Sequence, residues 1–393
     1  MSKSLKIRIR NKIVGSDYSG QELRLAAYIS QDKKLLDAYE KDQDAYAIIA
    51  SQIFNCKYED CLEFYPEGTK LNIDGKETLA GYKTNLNTEG KARRAVGKTM
   101  VLAGNYGMGG AGAGSLMGKT AQEGTELLDK YFKLFPGLKA AIDESKKTLY
   151  KCGYVEDILG RRRHLPDIYL KPYEVYYSDE TKNSNFNPIL GCEVRQHQDR
   201  TIKKYIDKTK TIKTNKEYKA LAVEALKNDN VIIQANTGKI AQAERQCFNA
   251  RIQGSAGTLT KKAMIDIFND PLFKKWQVHL IVTVHDEVLV ECPAFYADLV
   301  EQRLPELMIK AAQSLGITSP KMKCDPYCVD RWYADTAAAD IRTEYKKFEQ
   351  GDEKKGISPM TASEALQMVI KNHTEIPESA IKAAIQNGGD LVF

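Results

Sequence analysis

The stretch Val282-Thr283-Val284-His285-Asp286-Glu287-Val288-Leu289-Val290-Glu291 decides how the rest of the chain is read. Two β-rich runs, 277–284 (QVHLIVTV) and 287–291 (EVLVE), meet at His285-Asp286, which predicts a β-hairpin with charged residues at its tip. Adjacent carboxylates repel. Apolar flanks bring Asp286 and Glu287 close to low-dielectric surroundings, where their charge needs a cation. The same pair also suits a solvated turn, because Asp is common in turns. His285 suits a general acid or orienting group, or a turn residue with no chemical role.

A second carboxylate stands near the start of the chain. Lys12-Ile13-Val14-Gly15-Ser16 predicts a strand running into Asp17, and a helix follows from about Gln21, with Leu23, Ala26, Ala27 and Ser30 on one face. A carboxylate leaving a strand is held rigidly, which suits a metal ligand. Alternatively Asp17 and Ser19 cap the helix, and Ser19-x-x-Glu22 has the capping-box pattern. Carboxylates from two separate strand ends can hold hard cations such as magnesium. Two such ions about 3.5–4 Å apart can activate an attacking hydroxyl and stabilise a leaving oxygen.

The third feature is a basic helix that begins near Lys91 and stops in the glycine cluster Gly107, Gly109, Gly110, Gly112 and Gly114. Arg94, Lys98, Leu102 and Tyr106 recur every four residues, a stripe that drifts about 40° per step. Such a face can hold a polyphosphate and stack an aromatic ring on a base, or it can be a solvated basic face beside a core tyrosine. Gly97 and Gly104 thin this helix. A phosphate-binding loop is excluded, because the glycine required upstream of Gly97-Lys98-Thr99 and Gly118-Lys119-Thr120 is Ala92 and Ala113. Arg245, Asn249 and Gln253 form a further polar stripe, suited to sugar, phosphate and base-edge contacts or to plain solvent.

Length and composition bound the rest. The 393 residues allow two to four domains. Hydrophobic residues make up 42% and charged residues 28%, an ordinary globular balance. A net charge of +6 permits a nucleic-acid partner without demanding one. No stretch reaches the roughly 18–20 apolar residues of a membrane span, and the N-terminus lacks the apolar core of a secretory signal, so a cytoplasmic protein with reduced thiols is expected. Residues 31–90 read as helical and then loop-like around Pro66, Gly68, Gly75 and Gly81. Residues 119–150 read as an amphipathic helix broken at Pro136-Gly137. The segment 168–238 is polar and Lys-rich: within 201–220, seven Lys face Asp207 and Glu217. It contains Lys203, Lys204, Lys208 and Lys210, placed either for phosphate or partner contacts or as a solvated charge run. A helix from about Thr237 to Phe268 is expected to be interrupted near Gly254, and short helices are expected to open at Thr361-x-x-Glu364 and at Pro377.

Taken in order, these segments resemble the family A DNA polymerases, the group that includes bacterial repair polymerases and many phage replicases. DYSGQELRLAAYIS (17–30) is similar to the family's first palm motif, RRAVGKTMVLAGNYGMG (93–109) to its fingers helix and VTVHDEVLVE (282–291) to its last palm motif. GRRRHLPDI (160–168) and ERQCFNARIQGSAGTLTKKAM (244–264) agree, and the resemblance covers roughly 15–165 and 239–335. It implies an α/β (α+β) fold, the polymerase right-hand palm built on an antiparallel sheet with helical fingers. The segments are then palm at 1–30, fingers at 31–167, the Lys-rich insertion at 168–238, palm with the catalytic hairpin at 239–335 and a C-terminal helical extension at 336–393.

The resemblance also implies roles. Asp17 and Asp286 match the metal-binding carboxylates, with the carbonyl of Tyr18 as a further ligand and two Mg2+ ions as cofactor. Glu287 matches the family's second acidic residue there. Glu22 matches the steric gate against a 2′-hydroxyl, Arg94 and Lys98 the triphosphate binders, and Tyr106 the aromatic that closes the nascent-pair site. Lys98 would also assist the leaving pyrophosphate. Arg245, Asn249 and Gln253, together with Arg161 and Arg162, match DNA contacts, and His285 matches a primer-end contact. The implied partners are primer-template DNA and deoxynucleoside triphosphates.

Two departures stand out. Leu102 occupies the position where the family usually has Phe or Tyr. Only 16 residues precede Asp17, so thumb and exonuclease are expected to be absent and a separate polypeptide is expected to supply the thumb. A split phage polymerase subunit is the form this implies, a truncated gene product the other. A catalytically silent DNA-binding or scaffold remnant is the alternative function. A related single-subunit RNA polymerase is a third, against which Glu22 argues.

Overall fold

A computed structural model describes residues 11–73, 76–81, 85–178, 199–330, 332, 337–351, 358–374 and 376–387. In chain order the elements begin with strand β1 (Asn11–Tyr18) and helices α1 (Gln21–Ser30), α2 (Lys33–Glu40) and α3 (Ala45–Phe54). Next come strands β2 (Lys70–Ile73) and β3 (Lys76–Leu79) and helices α4 (Thr88–Asn105), α5 (Gly110–Leu116), α6 (Ala121–Leu134) and α7 (Pro136–Cys152). Strands β4 (Tyr154–Glu156), β5 (Arg162–His164) and β6 (Tyr173–Tyr177), helices α8 (Arg200–Thr209) and α9 (Asn215–Asp229) and strand β7 (Val231–Ala235) follow. The remainder is α10 (Thr237–Asn269), α11 (Pro271–Lys275), β8 (His279–Val284), β9 (Glu287–Pro293), α12 (Ala297–Ser314), β10 (Cys324–Val329), α13 (Ala337–Gln350), α14 (Ala362–Asn372) and α15 (Glu378–Asn387).

The chain divides into two compact units. Unit 1 is Met1–Tyr18, Ala263–Met308 and Cys324–Phe393, and unit 2 is Ser19–Lys262 and Ile309–Lys323.

Unit 1 is organised by one antiparallel sheet of order β10-β1-β9-β8. The predicted hairpin is present, with His285 and Asp286 alone between β8 and β9. A two-residue hairpin turn needs positive φ at its first position, and His285 supplies it at 54°. Val14, Val288 and Val290 are fully buried, while the Tyr18 ring is buried and its hydroxyl donates to the Met308 carbonyl at 2.8 Å. Burial of such side chains is worth about 1.5–3 kcal/mol each and clamps the register. Strand β10 carries Pro326, tolerated because β10 is an edge. Helices α13, α14 and α15 share a separate apolar cluster of Ile341, Val369, Ile376, Ala380 and Ile381. The Thr361–Glu364 capping box opens α14 as expected.

Unit 2 is mostly helical. Several expectations meet a different outcome there. Ser19 does not cap α1: Gly20 is the N-cap, in the left-handed region at φ 63°, with no side-chain cap bond. Glycine adopts that conformation at no steric cost. Arg24 holds the turn instead, donating to the Ser19 carbonyl at 2.9 Å and the Lys321 carbonyl at 2.7 Å while lying over the Tyr39 ring. The loop-like stretch contains the antiparallel strand pair β2–β3. Helix α10 runs without interruption through Gly254, where an added Cβ would meet the Asp157 Cβ at 3.2 Å. Gly97 and Gly104 act as thinning residues, since a Cβ would lie 2.2 Å from the Tyr46 carbonyl oxygen and 2.4 Å from the Tyr131 ring.

Among the described residues of the Lys-rich segment, β6 pairs with β7, and α8 and α9 pack with them around Val175, Ile202, Tyr205, Val231 and Ile233. Seven of the eight cysteines lie among the described residues and all are free thiols, with the Cys56 and Cys61 sulfurs 3.4 Å apart; Cys192 lies outside the described residues.

One buried side chain ties unit 2 together. Asp32 is 1% exposed. Its Oδ1 accepts from Lys34 N and Leu35 N at the start of α2, and its Oδ2 accepts from Gly137 N at 2.7 Å and Leu138 N at 3.3 Å at the start of α7. A single carboxylate therefore caps two helices, each cap worth up to about 2 kcal/mol. Asp32→Ala is expected to cost about 2–4 kcal/mol, read as a lowered urea midpoint, with Asp32→Asn intermediate.

Candidate active site

The carboxylates are assembled by strand register. Asp17 pairs directly with Glu287 on β9 and with Asp325 on β10, and the Tyr18 amide donates to the Asp286 carbonyl at 3.3 Å. Alternation in a strand puts Asp17, Glu287 and Asp325 on one face of the sheet. Burial pushes the Asp17 carboxyl up to about 6, and the charges of Asp325, Asp286 and Glu287 push in the same direction against its backbone hydrogen bond. Asp325 escaped the sequence reading because Pro326 interrupts the β pattern of CDPYCV and hides the strand. Tyr327, on the same strand, donates its phenol hydroxyl to Glu287 Oε1. Tyr18 points its ring into the core, so only its backbone carbonyl remains for the expected role. His285 is exposed at the turn.

The donor set is all oxygen, as hard cations require. Among the described residues no three His, Cys, Asp or Glu side chains already converge as a metal cage. Magnesium does not need one: it binds through one or two carboxylates and completes its shell with water and substrate phosphate. Asp17 and Asp286 fit that demand.

Unit 2 brings together a second group. Tyr106, the C-cap of α4, places its hydroxyl 3.4 Å from Glu22 Oε2 and accepts from Gln253 Nε2 at 3.2 Å. Burial and the neighbouring Glu22 charge raise the Tyr106 phenol above its ordinary range. Arg245 packs against Gly107, where an added Cβ would lie 3.1 Å from the Arg245 Cα. On α4, Lys98 is exposed and Leu102 is 40% exposed. Arg94 is half-buried and already paired: its Nε reaches Asp44 Oδ2 at 2.5 Å, and its guanidinium lies over the Tyr46 ring at 5.1 Å. Asp44 and Tyr46 escaped the sequence reading, because Asp44 carries only the signature of the α3 N-cap, which it also is.

A cavity of about 600 Å³ in unit 2 is lined by Arg161, Arg162, Arg163, Gln246, Asn249 and Gln253, among others. Arg161 pairs with Asp157 at 2.9 Å, and Arg162 pairs with Glu156 at 3.1 Å while lying over the Tyr154 ring. Asn249 Oδ1 is buried without a hydrogen-bond partner. Elsewhere, three lysines of the Lys-rich segment are answered locally: Lys204 by Asp229, Lys208 by Glu224 and Lys210 by Asp207.

Comparison with known proteins bears on the family and the fold. The family model described as DNA polymerase family A matches residues 5–64, 78–190 and 196–333. It runs through most of the Lys-rich segment, where the motifs alone gave no resemblance. DNA polymerase I of Geobacillus stearothermophilus is 26% identical over 321 residues, 82% of this chain and 26% of the relative. DNA polymerase I of Bacillus subtilis (strain 168) is 24% identical over the same shares. The chain thus spans about a quarter of the length of the curated relatives it matches. Among solved structures, the POL domain of Pol1 from M. smegmatis, in complex with DNA primer-template and dNTP, superposes with a TM-score of 0.55 at 19% identity, covering 83% of this chain and 40% of that one.

The chain is a member of DNA polymerase family A. Its mixed helical and antiparallel-sheet fold is that of a polymerase domain. The expected second polypeptide has no support in these comparisons. Among the described residues no helix is long and apolar enough to cross a membrane.

The crowded carboxylates have a measurable consequence. Because the folded-state pKa of Asp17 is raised, ionising it costs stability as pH rises through about 6, and that cost is absent below its ordinary value near 3.8. Asp17→Asn is therefore expected to raise the melting temperature of the metal-free chain at pH 7.5 and to leave it nearly unchanged at pH 4. Thermal melts at the two pH values check this.

Proposed function

We propose that this chain provides the palm and fingers of a DNA-directed DNA polymerase, adding deoxynucleotides to a primer 3′-hydroxyl under template direction. The observation that carries the reading is the pairing of Asp17 with Glu287, one step from Asp286, on a single sheet. The family membership and the nucleotide-complexed structural neighbour support it.

In this reading Asp17, Asp286 and the Tyr18 carbonyl hold two magnesium ions. Bound there, the ions would lower the pKa of the attacking hydroxyl and neutralise charge on the leaving pyrophosphate. The protein side chains do the rest. Lys98 and Arg94 bind the triphosphate, with Lys98 assisting the leaving group. Arg94 must pass from the Asp44 carboxylate to phosphate, or share itself between them, and Asp44 keeps its guanidinium oriented until then. Glu22, tethered to Tyr106, occupies the space a 2′-hydroxyl would need, and Tyr106 closes the pair site. Arg245, Asn249, Gln253, Arg161 and Arg162 contact the duplex, chiefly its backbone, so sequence is read by base pairing alone. His285 contacts the primer end.

Magnesium-dependent primer extension tests this. Asp286→Ala and Asp17→Ala are each expected to lower the rate by about a hundredfold to a thousandfold, the usual loss when a charge-stabilising group is removed. Full activity in either variant would sink the proposed mechanism. Extension absent in the unaltered protein, with primer-template still bound, would favour the scaffold reading. Leu102→Phe is expected to change the ratio of dideoxy- to deoxynucleotide incorporation. An unchanged ratio in single-turnover extension would exclude Leu102 from sugar discrimination.

A further inference from the structure

We propose that Tyr327 is a positioning residue for Glu287, reaching it across strand β1 through the gap left by Gly15, and that this contact keeps Glu287 from serving as a third carboxylate ligand. The inference rests on the reading that Asp17 and Asp286 bind magnesium.

The geometry is specific. Gly15 pairs with Tyr327 on one side and with Leu289 on the other, so β1 separates the tyrosine from the strand it contacts. An added Cβ at Gly15 would lie 2.2 Å from Tyr327 Cζ and 2.4 Å from its hydroxyl oxygen. The phenol therefore lies directly over the glycine, and any side chain there would deny it that path. Its hydroxyl ends on Glu287 Oε1, two residues beyond Leu289 on the same face.

The consequence follows from carboxylate chemistry. An ionised carboxylate is acceptor-only, and a phenol hydroxyl on one oxygen fixes its rotamer and spreads its charge. Glu287 stands directly opposite Asp17 in the ladder, and side chains of paired residues project from the same face of the sheet. Groups that orient the carboxylates around a metal change its affinity, typically by about 10–100-fold when removed.

The test is magnesium binding to the protein without DNA or nucleotide, followed by the magnesium-dependent rise in melting temperature. Tyr327→Phe keeps the ring and removes the bond. It is expected to lower the magnesium half-saturation concentration about threefold or more, and the shift should vanish when Glu287 is already Gln. Gly15→Ala should reproduce the shift without adding to it. The magnesium dependence of primer extension should move the same way. A tyrosine that only packs the sheet would lower the metal-free melting temperature and leave the magnesium midpoint alone. Equal midpoints in the unaltered and Tyr327→Phe proteins, or additive effects of Tyr327→Phe and Glu287→Gln, would overturn this proposal alone. Absence of any magnesium response in the unaltered protein would overturn the metal-binding reading and this proposal with it.

Discussion

Strand pairing that forces like charges together governs this molecule. Asp17 lies between Glu287 and Asp325 in the ladder, with Asp286 at the adjacent turn. Each pair of carboxylates repels, and partial burial amplifies the repulsion. What holds them in place is apolar: Val14, Val288 and Val290 are fully buried and cannot slip by one residue without turning the whole hydrophobic face to water. The sheet thus stores electrostatic cost at one face and offsets it with packing at the other. Mutual repulsion of this kind favours positive charge among the carboxylates.

The cations of unit 2 follow the complementary logic. Arg94 is held by Asp44, Arg161 by Asp157 and Arg162 by Glu156. Side chains suited to phosphate are already fixed by carboxylates of the same unit. Such pairs contribute little to stability when exposed, but they limit the conformations of long, flexible side chains. At Asp157, burial works against the charge, yet donors from Arg161, Thr258 and Leu159 outweigh it and hold the carboxyl below its ordinary range. The Lys-rich segment behaves likewise, with three of its lysines paired to carboxylates on its own helices. Its charge run, so conspicuous in one dimension, is partly neutralised in three.

Much of the structure was legible in the sequence where the signal is local. The hairpin at His285-Asp286, the strand into Asp17, the α6–α7 break at Pro136 and the capping box at Thr361 all depend on residues within a few positions of one another. Local patterns also misled. Ser19-x-x-Glu22 matches a capping box, yet Gly20 caps α1 in a left-handed conformation and Glu22 turns toward Tyr106. Gly254 looked like an interruption, yet α10 continues, with the Asp157 Cβ only 3.2 Å from where a Cβ on that glycine would lie.

What the sequence by itself determined is the inventory: which carboxylates end strands, which cations and rings share a helical stripe, and the family these motifs mark. Tertiary structure alone decided the partners. That Asp325 stands beside Asp17, that Tyr327 crosses Gly15 to reach Glu287, that Asp44 holds Arg94 and that Asp32 caps two helices are all facts of contact between residues far apart along the chain. Periodicity reports which way a side chain faces. Only the register of distant strands and the approach of distant helices, set by burying apolar surface, report what it meets.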